Sequence, residues 1–105
     1  MLHLNQQPTL KDLQKYVLDM ENERGFSKDV LNNCLMLGEE VGELFKAIRK
    51  HGNINKIDLN SKFGSVEEEL ADTLIFICAI ANKFDIDLEK AFRDKEEINN
   101  KRSWK

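Results

Sequence analysis

Two short acidic patterns, Glu39-Glu40-Val41-Gly42-Glu43 and Glu69-Leu70-Ala71-Asp72, hold the residues of this 105-residue chain best suited to chemistry. Side chains three or four residues apart share a helix face. Glu40 therefore projects with Glu43, and Glu69 with Asp72. Both pairs lie in apolar helical segments, where an unpaired carboxylate is costly. Four carboxylates gathered in such a setting call for a cation. Oxygen ligands with no His or Cys beside them suit Mg²⁺ or Mn²⁺ better than zinc. A solvated acidic surface is the alternative, and it fits Glu67 and Glu68 well.

The elements that position these acids follow from periodicity. At about 100° per residue, Leu31, Cys34, Val41, Leu44, Phe45 and Ile48 form one apolar stripe, with Glu40 and Glu43 on its shoulder. Glu69 and Asp72 share an azimuth with Phe76 and Ile80. All four acids are expected to be half-buried. A glycine inside a helix costs about 0.5–1 kcal/mol relative to Ala. Gly42, between the paired acids, is expected either to permit close helix packing or to leave room beside Glu43 for a metal and its waters.

Composition points to one all-α domain spanning 1–105. The chain has one proline, at position 8, and five glycines, and it shows no β-type alternation. A chain of this length buries about 60–70% of its unfolded surface, enough for one modest core. Its net charge of −3 gives no reason to expect nucleic-acid binding. The charges are uneven, with acids at 39–43 and 67–72 and a basic last stretch of Lys95, Lys101, Arg102 and Lys105. That separation suits a phosphate-bearing ligand. Cys34 and Cys78 each sit alone on an apolar face and read as buried thiols in a reducing compartment. The N-terminus lacks the pattern of a signal peptide, and the longest apolar run, 73–81, is too short to cross a bilayer. A cytoplasmic protein without membrane contacts is expected.

Taken in order, residues 1–8 form an N-terminal arm. Thr9, with Asp12 three residues on, starts a helix that runs to Arg24 with Leu10, Leu13, Val17 and Met20 on one stripe, closed by Gly25. Ser27 is expected to cap a second helix over 28–50. Residues 51–64 form a long basic loop, either a cover for an anionic ligand or plain solvated chain. Ser65 and Glu68 make a capping box for a third helix ending near Phe84. Its segment 73–81 is apolar on nearly every azimuth and must be buried on all sides. A small four-helix monomer can hardly do that, so self-association is expected. Asp87 caps a last helix running to about Arg102, with Leu88, Ala91, Phe92 and Ile98 inward.

These residues resemble the MazG-like, all-α nucleoside triphosphate pyrophosphohydrolases. The signature EExxE, spacer, ExxD stands here as Glu39-Glu40-x-x-Glu43, a spacer of 25 residues, and Glu69-x-x-Asp72. A further family-like element is Lys95-x-x-x-Asn99-x-x-Arg102. The resemblance covers roughly 28–102 and implies a four-to-five-helix bundle completed by homo-oligomerisation, as a dimer or a dimer of dimers. It also implies Mg²⁺-dependent cleavage of an NTP or dNTP between the α- and β-phosphates, giving a monophosphate and pyrophosphate. Carried over, Glu40, Glu43, Glu69 and Asp72 are metal ligands and Glu39 orients or deprotonates the attacking water. Lys95, Asn99 and Arg102 bind phosphate oxygens. Nucleotide-pool house-cleaning is a role in keeping with that activity.

Three other readings compete. Phosphoribosyl-ATP pyrophosphohydrolase uses the same acidic helices, and a dimeric dUTPase-like specificity is similarly open. A di-iron bundle needs Glu-x-x-His pairs, and neither His3 nor His51 follows a Glu at that spacing. A non-catalytic dimerisation module would use the acids only as charged surface.

Overall fold

The computed structural model describes residues 2–51 and 64–103, and among these every regular element is a helix. The order is α1 (Leu10–Arg24), α2 (Val30–His51), α3 (Val66–Lys83) and α4 (Leu88–Asn100). Most of the basic loop expected over 51–64 lies outside the described residues. His51 ends α2, and Gly64 directly precedes the capping residue of α3.

Local chemistry sets the boundaries. Thr9 closes a full capping box. Its Oγ1 accepts from the Asp12 amide at 3.1 Å, and the Asp12 carboxylate accepts from the Thr9 amide at 3.0 Å. The α1 C-terminus turns through Gly25 at φ 68°, ψ 30°, the left-handed conformation that glycine adopts without steric cost.

The α2 start differs from expectation. Asp29 is the cap, its carboxylate accepting from the Asn32 amide at 3.2 Å and its carbonyl from the Asn33 amide at 3.0 Å. Ser27 acts one step earlier, accepting from the Asp29 amide at 3.2 Å. Two candidate caps stand in tandem, and the carboxylate takes the helix. Asp87 caps α4 with bonds from Glu89 and Lys90. The turn between α3 and α4 passes through Asp85 at φ 55°, a left-handed position that Asp tolerates.

The chain forms two compact units, Met1–Phe26 with Cys78–Lys105, and Ser27–Ile77. In the first, α1 packs on α4, and Val17, Met20, Cys78, Ala79 and Ala81 are buried. Buried Gln14 ties α1 to the α3–α4 turn. Its Nε2 donates to the Ile86 carbonyl at 2.7 Å and to Asn82 Oδ1 at 3.2 Å, while its Oε1 accepts from the Leu88 amide at 2.9 Å. Asn82 returns a bond to the Gln14 carbonyl at 2.9 Å. In the second unit Ala47 is buried, together with the polar Asn33 and Glu69.

Several residues expected to point inward are exposed in the single chain. On α2, Leu31 is 66% and Phe45 64% exposed, and Ile48 and Cys34 are exposed as well. On α4, Phe92 is 70% exposed, Ile98 and Ala91 are open, and the helix buries nothing. The segment 73–81 buries its small residues, Cys78, Ala79 and Ala81, yet leaves Leu74 and Ile77 exposed, continuing a row from Leu70. Periodicity decides which residues share a face. What covers that face depends on surfaces elsewhere, and a single chain leaves these uncovered.

Candidate metal centre

The second unit brings Glu40 of α2 together with Glu69 and Asp72 of α3. One carboxylate oxygen from each lies within 4.8 Å of the others. The local fold explains the placement. Ser65 Oγ accepts from the Glu68 amide at 3.1 Å and donates to Glu68 Oε1 at 3.3 Å, so α3 begins at Val66. Glu69 then falls in the first turn, where the helix macrodipole favours negative charge. Its amide donates to the Ser65 carbonyl at 3.0 Å, and Thr73 Oγ1 donates to its carbonyl at 2.7 Å. Asp72 follows one turn later on the same face.

Two unit charges 4.8 Å apart repel by about 3 kcal/mol at an effective dielectric near 20. This repulsion disfavours the fully charged cluster. Partial burial, a hydrogen bond with the Glu69 carboxyl, and the charges of Asp72, Glu69 and Glu39 together push the Glu40 carboxyl from 4.5 up to about 7. Glu40 lies in the middle of α2, without a helix N-terminus to support its charge. A carboxyl pushed up by burial and by neighbouring acids marks a position that calls for positive charge. The donors are all carboxylate oxygens, a set that suits a hard divalent cation.

The other expected site residues divide between the two units. Glu69 is buried, whereas Glu40, Glu43 and Asp72 are half-buried. Glu43 shares the Glu40 face but is not one of the three acids in mutual reach. Glu39 is exposed and acts on Glu40 through its charge. Lys95 and Asn99 belong to α4 in the first unit. Arg102 comes two residues after the end of α4, its amide donating to the Asn99 carbonyl at 3.0 Å. Lys95 and Arg102 are exposed, and Asn99 is half-buried and donates to Glu96 Oε2 at 3.2 Å.

Close helix packing does not explain Gly42, since among the described residues a β-carbon there would meet nothing within 4 Å. The glycine that adjoins the acids is Gly64, which the sequence reading passed over. Its only visible signal was its place just before the capping serine of an acid-bearing helix.

Comparisons with known proteins identify the family of the chain. The model of the MazG nucleotide pyrophosphohydrolase domain matches residues 28–103. Among solved structures, the Ctag form of iMazG from Vibrio DAT 722 is similar at 35% identity with a TM-score of 0.68, covering 88% of this chain and 98% of that one. The Ntag form is similar at 35% identity and a TM-score of 0.64, covering 87% and 93%. A search of curated protein sequences finds no significant match. The chain belongs to the MazG nucleotide pyrophosphohydrolase domain family, hydrolases that act on nucleotide anhydrides.

Proposed function

We propose that this protein is a Mg²⁺-dependent nucleoside triphosphate pyrophosphohydrolase that cleaves an NTP or dNTP between the α- and β-phosphates. The observation that carries this reading is the convergence of one carboxylate oxygen each from Glu40, Glu69 and Asp72 within 4.8 Å of one another. Glu40, Glu69 and Asp72 hold the cation, with Glu43 as a fourth ligand one turn along α2. Mn²⁺ substitutes for Mg²⁺ on the same hard oxygen donors. When bound, the ion neutralises phosphate charge and lowers the pKa of an attacking water.

The protein's own residues supply the rest. Glu39 orients the water and accepts its proton. Lys95, Asn99 and Arg102 hold phosphate oxygens and offset the charge that develops on the leaving pyrophosphate. Self-association into a dimer or a dimer of dimers covers Leu70, Leu74 and Ile77, which are too apolar to stay in water as a contiguous row. No described helix is long and apolar enough to cross a membrane. A cytoplasmic house-cleaning role on the nucleotide pool, without nucleic-acid or membrane partners, fits the substrate class and the two free thiols.

A pyrophosphate-release screen of the full chain over the common NTPs and dNTPs, with Mg²⁺ or Mn²⁺, tests the reading. A monophosphate and pyrophosphate are the expected products. Orthophosphate and a diphosphate would overturn it.

A further inference from the structure

Gly64 precedes Ser65, the cap of α3. Gly25 is accounted for by its positive φ, whereas at Gly64 the surroundings leave no place for a side chain. The constraint is space. A β-carbon at Gly64 would overlap Oε1 of Glu69 and lie 3.1 Å from its Cδ and 3.5 Å from its Cγ. The same atom added at Gly25, Gly38 or Gly42 would meet nothing within 4 Å. Glu69 is buried, and one of its carboxylate oxygens lies within 4.8 Å of oxygens of Glu40 and Asp72. Its oxygens therefore cannot swing aside without leaving the acid cluster.

We propose that Gly64 is a positioning residue whose missing side chain leaves the space in which the Glu69 carboxylate is held against Glu40 and Asp72. The inference rests on reading these acids as the metal centre. Overlap with the far end of a long side chain is relieved by rotating that side chain, so the fold tolerates a β-carbon here. The cluster does not, because the rotated group is one of its three converging oxygen donors. Gly64 touches neither substrate nor cation. It acts through Glu69.

The test is Mn²⁺ binding to the full chain, measured by calorimetry and by electron paramagnetic resonance. Gly64→Ala should bind Mn²⁺ about ten- to a hundredfold more weakly, the usual effect of disturbing a residue that orients a metal ligand, while the metal-free protein melts as wild type does. In a Glu69→Gln background the same substitution should cause no further loss, because residue 69 is then no longer an anionic ligand. Gly64→Ala combined with Glu69→Asp, whose shorter carboxylate clears the β-carbon, should recover part of the affinity. Unchanged Mn²⁺ affinity in Gly64→Ala overturns the inference alone, as does an equal loss in both backgrounds. If Gly64→Ala does not fold, failure of the Glu69→Asp combination to restore folding also overturns it. Absence of Mn²⁺ binding to the wild-type chain would instead remove the metal centre, and this inference with it.

Discussion

At the residue scale, the proton at Glu40 links the chemistry of the cluster to stability. A carboxyl raised to about 7 in the folded chain binds a proton that the unfolded chain, titrating near 4.5, has released. Between those two values the folded state carries more protons, so its stability falls as pH rises. Metal-free protein should therefore melt at a higher temperature near pH 5 than near pH 7.5. In Glu40→Gln, whose side chain does not titrate, this contribution should disappear. A variant as steeply pH-dependent as wild type would place the titration elsewhere. Mg²⁺ should raise the wild-type melting temperature at pH 7.5, as any ligand of the native state does, and should have little effect on Asp72→Asn. On α4, Lys95→Ala and Arg102→Ala should slow triphosphate turnover while leaving Mn²⁺ affinity near wild type. Equal loss of metal binding in both would show that these side chains do not act on phosphate.

At the element scale, the fold of the first unit depends on one amide side chain. Gln14 uses both ends of its carboxamide to join α1 to the turn that launches α4. Removing it leaves the Leu88 amide and the Ile86 carbonyl without their partner in a partly buried place. Gln14→Ala should cost about 2 kcal/mol, in the range for leaving a buried donor or acceptor unsatisfied, as read from urea unfolding. Loss of the α2 cap in Asp29→Ala should cost about 1 kcal/mol, and Ser27→Ala distinctly less, since its hydroxyl serves the residue before the helix. Equal effects at 27 and 29 would mean that the two caps share the load. The exposed i,i+4 ion pairs Lys15–Asp19, Lys90–Asp94 and Arg93–Glu89 should each contribute only a few tenths of a kcal/mol.

At the scale of the whole molecule, the main energetic question is the apolar surface left open. Leu70, Leu74 and Ile77 repeat at the four- and three-residue steps of a single helix face, and all three are exposed in the single chain. Burying a large aliphatic side chain stabilises by about 1.5–3 kcal/mol, so a second copy seated on this row would gain several kcal/mol. Light scattering at micromolar concentration should report a dimer or larger. Ile77→Glu should dissociate or unfold it, because a desolvated, unpaired carboxylate in an apolar interface is strongly unfavourable. A wild-type chain that stays monomeric at that concentration would reject self-association.

How much of this was legible in the sequence depends on whether the determining physics is local. Helix identity and the caps at Thr9, Ser65 and Asp87 all follow from interactions within a few residues. Each of these appears in the structure. The ordered acidic pattern carried the family for the same reason, since its spacing is a property of two helices taken singly. The exposure of Leu31, Phe45 and Phe92 was not legible, because a periodic stripe shows which residues face together and not what they face. Nor was the burial of Gln14, whose partners lie about seventy positions away. Likewise, the Glu40 carboxyl is pushed up by its burial together with the acids that α3 delivers to within 4.8 Å of it, and neither is visible in α2 taken alone. Gly64 belongs with these residues. In the chain it is a glycine before a serine, and only the approach of the Glu69 carboxylate reveals the space it leaves open.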